Sequence, residues 1–269
     1  MKTKNIIYPL FLLFTVLCSC NKDEDGQKSK VCYLTKLSAE GQIINGISYL
    51  NNLPTTLSGY DSLGLPTSSV DFEFDLKGQL SKLSNRGKDG SLGSYQTIQY
   101  NIDGLAAKIL SYSKNSGGEF EVTGFTTIQY NENKKPIKTA YFSGSEASPE
   151  QKSYEAYEYN IDGNVAKSSS YTQEFSGSTS FILSTTSEYE YDKMKSYLQS
   201  LKLPPVIVSY MSNNNITKTT VKGPTGTIKP KDSYNVTYEY NVEGYPVKSI
   251  QTNLDSGKPS VLNFEYNCN

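Results

Sequence analysis

The chain has 269 residues, with 26 Lys and Arg against 27 Asp and Glu, and no histidine. A balance this close to neutral, without a basic patch, argues against nucleic acid as a partner. The lack of histidine removes Ser-His-Asp and Cys-His nucleophile activation and all His-based metal sites.

Lys2 and Lys4 precede an apolar run from Ile6 to Leu17 that only Pro9 and Thr15 interrupt. The pattern predicts a secretory signal peptide over residues 1–19. The run is too short for a helix crossing about 30 Å of hydrocarbon. Leu17-Cys18-Ser19-Cys20 resembles a bacterial lipobox. That resemblance makes Cys20 the expected first mature residue and lipid attachment site, an ordinary cleavage site being the alternative. Residues 20–30 are polar throughout and read as a flexible acidic tether. Within it, Lys22-Asp23-Glu24-Asp25 resembles the acidic tag with which some Gram-negative anaerobes send lipoproteins to the cell surface. The expected location is therefore a bacterial outer membrane, reached through the lipid.

Residues 31–269 read as a single β domain built from repeats. A phrase of aromatic residue, Asn or Asp, two further residues and Gly recurs at Tyr60–Gly64, Phe74–Gly78, Tyr100–Gly104, Tyr159–Gly163 and Tyr240–Gly244. Degenerate copies start at Tyr130 and Tyr191, and Phe264-Glu265-Tyr266-Asn267 is a half-copy. From Tyr100 the steps are 30, 29 and 32 residues, a period that marks repeated supersecondary units. Asn101, Asn160 and Asn241 suit the first position of a turn, because their side chains bond backbone two residues on. Gly104, Gly163 and Gly244 suit its last position, where positive φ is needed.

Before each turn the residues alternate. Tyr234, Val236, Tyr238 and Tyr240 take one face, Asn235, Thr237 and Glu239 the other, a period of two. Two strands per repeat predict an all-β antiparallel meander of about a dozen strands, curled or closed into a barrel-like sheet. Asn45-Gly46 predicts a further tight hairpin. Met194, Tyr197, Leu198 and Leu201 recur at helical spacing and predict one short helix near 194–201, stopped by Pro204-Pro205. Strands are expected at Val206–Tyr210 and Ile216–Val221, with a loop from Gly223 to Lys231.

Cys18 leaves with the signal peptide. Cys32 and Cys268 stand near the two ends of the domain, in a compartment that permits disulfides. A bridge between them brings the first and last strands together, whereas two free thiols leave the sheet open.

The phrases Tyr157–Gly163 and Tyr238–Lys248 resemble the YD-type repeats of secreted bacterial proteins. Together with the lipobox and the terminal Phe264–Cys268, they make residues 31–269 similar to a family of envelope lipoproteins. That family is a domain of unknown function described as having a porin-like β fold. The resemblance implies a fold and brings no catalytic residues. Asp61-Ser62-Leu63 resembles a short bacterial O-glycosylation pattern, which makes Ser62 a candidate for modification, although its turn also explains Asp61.

The expected function is a lipid-anchored, non-catalytic binding or scaffolding module for a glycan or an envelope protein, with no cofactor and no metal. Two alternatives stand beside it. A glycan-active enzyme would need a carboxylate pair, drawn from Asp103, Asp162, Glu155, Glu158, Glu188, Glu190 and Glu239. An outer-membrane pore would need an outward apolar band, yet Thr, Ser, Glu and Lys occupy mid-strand positions.

Overall fold

The computed structural model describes residues 30–269. The signal peptide, Cys20 and the tether up to residue 29 lie outside the described residues.

Sixteen antiparallel strands follow one another in chain order. They begin with β1 (Cys32–Ala39), β2 (Gln42–Leu50), β3 (Leu53–Tyr60) and β4 (Pro66–Phe74). Next come β5 (Leu80–Gly87), β6 (Leu92–Tyr100), β7 (Ala106–Lys114) and β8 (Phe120–Tyr130). The series continues with β9 (Pro136–Ser143), β10 (Glu150–Tyr159), β11 (Val165–Gln173) and β12 (Phe181–Tyr191). It ends with β13 (Ile216–Lys222), β14 (Tyr234–Tyr240), β15 (Pro246–Asn253) and β16 (Pro259–Cys268). Each pairs with its neighbours in sequence, and β16 pairs back onto β1, so the meander closes into a barrel. Closure removes the two edges that an open meander would leave for aggregation.

The count exceeds a dozen partly because two hairpins near the start of the domain turn without the repeat phrase. Glu40-Gly41 and Asn51-Asn52 make two-residue turns with both φ values positive, the twist that suits tight hairpins. Asn45-Gly46, by contrast, is not a turn. It lies inside β2, paired with Leu37 and Lys36 on one side and Gly59 and Ser58 on the other. The Tyr60 ring sits 3.3 Å from where a Cβ on Gly46 would stand, so the glycine admits a close approach.

The phrase turns share one hydrogen-bond pattern. In the first, Gly64 N–H donates to the Asp61 carbonyl and Asp61 N–H to the Leu65 carbonyl. The Asp61 carboxylate accepts from Leu63 and Leu65 N–H. Asn101 repeats this with Asp103 and Leu105, while Asn160 and Asn241 accept from Asn164 and Tyr245. Gly104, Gly163 and Gly244 have φ of 75°, 85° and 85°. In the degenerate copy Lys134 takes that conformation instead, at φ 59°. A register shift just before each closing aromatic, such as Gln99/Tyr100, completes the bulge.

Strand alternation distributes the turns between two ends. The turns after Phe74, Tyr100, Tyr130, Tyr159 and Tyr240 lie at the end where β1 begins. The turn after Tyr60 lies at the other end, so the phrase encodes a turn shape and not a location.

The helix expected over 194–201 reduces to a single 3-10 turn, Gln199–Leu201. The expected strand at Val206–Tyr210 is instead largely the four-residue helix α1 (Val208–Met211). β12 and β13 already pair with each other and with β11 and β14, so no sheet edge is available to residues 206–210. Tyr210 and Met211 N–H bond the Ile207 carbonyl locally. The loop from Gly223 to Lys231 holds one isolated bridge, Lys222 with Ile228.

Candidate functional site

Residues 192–215 connect β12 to β13 at the β1 end and fold into the lumen as a plug. Leu201, Tyr197 and Leu198 pack on Leu34, Ile47 and Phe264. Leu203 and Val206 pack on Phe72, Leu80, Ile98 and Ile128. Val208 and Met211 join Tyr157 and Val165. One inserted segment thus buries apolar lumen positions all around the β1 end of the barrel, and Leu34 and Val165 are fully buried. This is the dominant hydrophobic contribution in this half of the molecule.

Polar latches hold the plug. The buried Asn164 accepts from Asn213 and Asn214 N–H through Oδ1, and its amide donates to Asn214 Oδ1 at 2.9 Å. Asp192 accepts from Met194 N–H, from Asn215 N–H and Nδ2, and from the Tyr240 hydroxyl. Burial and the Asp192 charge push the Tyr240 hydroxyl pKa up, so it stays a donor. Sequence reasoning missed these residues because Asn164 and Asp192 look like ordinary turn chemistry.

Seven tyrosines near the strand ends, several of them from the phrase, also turn inward. Tyr49, Tyr100, Tyr130, Tyr159, Tyr191, Tyr238 and Tyr266 donate to the carbonyls of Leu34, Leu80, Ala106, Pro136, Val165, Ile216 and Pro246. Each bond ties one strand end to a residue near the start of an adjacent strand. The ring is a structural belt around the plug, and Tyr rows on this face are unavailable for stacking on an external ligand. Burial pushes Tyr130 and Tyr159 up to about 12.

The other half of the lumen is polar. Asn85 bonds Ser94, Gln96 bonds Ser111, and Ser168 bonds the Tyr189 hydroxyl. A cavity of about 360 Å³ opens here among Thr126, Thr139, Tyr141, Glu155 and Ser170, with Val206 of the plug contributing to its wall. Tyr141 is 44% exposed although its parity points it into the lumen, so water enters from this end. Glu155 accepts from the Tyr157 hydroxyl at 3.0 Å. Burial, then the Glu155 charge, raise the Tyr157 pKa.

The remaining sequence candidates scatter. Glu158, Glu190 and Glu239 face outward and pair with Lys167, Lys218 and Lys248 at 2.7–2.8 Å. Glu188 pairs with Lys222, and Glu73 and Glu265 pair with Lys82 and Lys36. Asp103 and Asp162 sit in turns at the plugged end. Among these candidate strand carboxylates, Glu155 is the one that parity turns into the lumen, on the same face of β10 as Tyr157. Ser62 is exposed at the tip of the β3–β4 turn. Cys32 and Cys268 are joined by a disulfide and are also paired in the β1–β16 register. Glu243 lies close to both sulfurs, but bonded sulfurs are not thiolate ligands.

Outside, aromatic residues stack across strands: Tyr95 on Tyr112, Phe125 on Phe142 and Tyr154 on Tyr171, at 4.4–4.7 Å. Lys82, Lys108 and Lys138 lie over Tyr95, Phe125 and Tyr154. Such pairs stabilise neighbouring strands by roughly 0.2–1 kcal/mol each.

This architecture is similar to that of a porin-like protein from Bacteroides vulgatus. The two match with a TM-score of 0.52 and 13% identity, over 87% of this chain and 99% of that one. A porin-like protein from Bacteroides uniformis matches at a TM-score of 0.46 and 11% identity, over 87% and 98%. No protein-family model and no curated protein matches the sequence. The likeness to the Bacteroides vulgatus protein is one of fold alone. Among the described residues no helix is long and apolar enough to cross a membrane, which says nothing of crossing by strands.

Proposed function

We propose that the protein is a lipid-anchored outer-membrane module that binds a hydroxyl-rich ligand, of glycan type, in the open half of its barrel and conducts nothing. One observation carries this reading: the plug fills one half of the lumen with apolar contacts and leaves the other half lined by Ser, Thr, Gln and Tyr. Hydrogen-bonding groups that are uncharged apart from Glu155, with a few aromatic rings, suit a neutral polar ligand. The outward Lys–Glu pairs favour a wall in water, since a barrel in lipid carries an apolar band about 25 Å tall. Glu155 has no second carboxylate beside it in the cavity lining, which favours binding over glycoside hydrolysis.

Sixteen closed strands and a porin-like fold favour the second reading, a pore. Planar-bilayer recording with the full-length chain separates the two. The expected result is a flat baseline, together with neutral-oligosaccharide binding on a glycan array that Thr126→Trp abolishes by filling the lumen. Stable unitary currents would overturn the proposal.

A further inference from the structure

The plugged end carries a feature that the barrel does not need. Leu76, Ile102, Ile161 and Val242 each follow the Asp or Asn of a phrase turn, and each is 98–109% exposed. The turn's hydrogen bonds involve the residues on either side of this position, never its side chain. Ser62 and Glu132 occupy it in two other turns, so a polar residue is tolerated there. Four fully exposed aliphatic tips therefore cost solubility without supporting the fold. Val31, Leu50 and Ile207, all more than half exposed, stand at the same end. The opposite end has Leu63 at 81%, Phe175 at 67% and Ile228 at 51%, each in a different kind of loop and without a recurring position.

Cations accompany the tips. A cleft of about 440 Å³ between the rim and Pro204-Pro205 of the plug is bordered by Lys134, Lys135 and Lys202. Lys135 Nζ stands 4.9 Å over the Tyr159 ring. Among the described residues these three lysines form no ion pair, unlike the lysines of the outer wall. The rim acids Asp75, Asp103, Glu132, Asp162 and Glu243 lie in the phrase turns of this end, and none of them pairs with these three lysines.

The chain also enters the barrel here, at Lys30 and Cys32. Ten residues separate Cys20 from Lys30, a reach of at most about 35 Å. Strands of seven to eleven residues put the opposite rim roughly 20–30 Å further away.

We infer that the plugged rim is a membrane-contact foot: the tips Leu76, Ile102, Ile161 and Val242 enter the headgroup–acyl boundary, and Lys134, Lys135 and Lys202 meet lipid phosphates. Isolated aliphatic side chains interleaved with lysines match the chemistry of that boundary. The foot rests on the lipid-anchored reading and extends it, because it holds the plug against the bilayer and aims the open lumen away from it.

The test uses the full-length chain, reconstituted into phosphatidylethanolamine vesicles containing phosphatidylglycerol. Single cysteines at Ile102, Ile161, Val242, Leu63 or Thr237 (Ile102→Cys and so on) carry an environment-sensitive dye, and doxyl-labelled lipids quench it. Quenching about twofold or more stronger at 102, 161 and 242 than at 63 and 237 is expected. Replacing the three lysines by Gln should weaken its dependence on phosphatidylglycerol. Flotation with the vesicles but no rim quenching overturns the foot and leaves the anchor intact. A blue-shifted rim dye that lipid quenchers cannot reach, seen only with envelope extract, overturns it in favour of a protein partner. Failure to float overturns the anchored reading and the foot with it. Quenching at Thr237 overturns both and puts the wall in lipid.

Discussion

The two halves of the lumen are built from the same strands and yet behave as different materials. At the β1 end, Leu34, Ile47, Ile98, Val165 and Phe264 meet the plug and form a dry core with a tyrosine belt around it. At the far end, the same strands present Ser94, Gln96, Ser111, Thr126 and Ser170 to water. The difference teaches where the barrel's stability resides, because apolar burial is concentrated in one half while the other is free to host a ligand. It also separates roles that one repeat phrase would have merged. Its tyrosine builds the belt inside, and the preceding glutamate builds ion pairs outside.

The largest effect should come from the seam at the plugged end. In the chain-entropy model, Cys32→Ser with Cys268→Ser should cost up to about 5 kcal/mol. The β1–β16 ladder still pairs without the bridge, so the loss in a denaturant melt should fall somewhat below that value. A loss under about 1 kcal/mol would mean that the bridge adds little to the ladder.

A direct contrast of the halves comes next. Leu201→Asp buries an unpaired carboxylate among Leu34, Ile47 and Phe264 and should cost about 3–5 kcal/mol. Thr172→Asp, toward the far end of β11 at an exposed site, should change stability by less than about 0.5 kcal/mol. Equal costs by urea titration would break the comparison.

The turns offer a finer test. Gly163→Ala places a Cβ 2.7 Å from Lys135 Nζ at φ 85°, and should cost about 1–2 kcal/mol. Gly257, in a loop at the open end, also has positive φ, 64°, but nothing lies within 4 Å of its Cβ position. Ala there should cost about 1 kcal/mol from backbone strain alone. The excess at Gly163, read from paired melts, reports the packing of the rim against Lys135 and Asn213.

The smallest effect concerns the belt. Tyr130→Phe removes one hydrogen bond, to the Ala106 carbonyl, and should cost about 1 kcal/mol. In alkali the intact belt has a definite sign. The folded Tyr130 and Tyr159 hold their protons up to about 12, whereas the unfolded chain releases them near 10. The native state therefore binds more protons between those values, and stability present below pH 10 should fall as the pH rises toward 12. Absorbance at 295 nm should show these tyrosines ionising late and together with unfolding. Early ionisation, with the fold intact, would mean that the belt is open to water.

Much of the wall was legible from residue order alone. The alternation of Tyr234, Val236, Tyr238 and Tyr240 with Asn235, Thr237 and Glu239, and the Asn-x-x-Gly turns, are local. A strand's two faces and a turn's φ values depend on residues within about five positions. The number of strands was less legible, because Glu40-Gly41 and Asn51-Asn52 turn by backbone conformation without the repeat's signature. Asn45-Gly46 misled for the converse reason, since its glycine answers to a Tyr60 ring that arrives from another strand.

The plug could not be read locally. Val206–Tyr210 has the β-branched composition of a strand, and only the absence of a sheet edge inside a closed barrel makes it a helical turn. The candidate cavity likewise gathers Thr126, Thr139, Glu155 and Ser170 from four strands. Sequence by itself determined most of the strands, the phrase turns and the opposition of tyrosine and glutamate faces, because these follow from neighbouring residues and a period of two. Tertiary structure alone decided which face became the lumen, which end was plugged and where water remained. Those outcomes depend on β1 meeting β16 and on 192–215 choosing one mouth, contacts between residues tens to hundreds of positions apart.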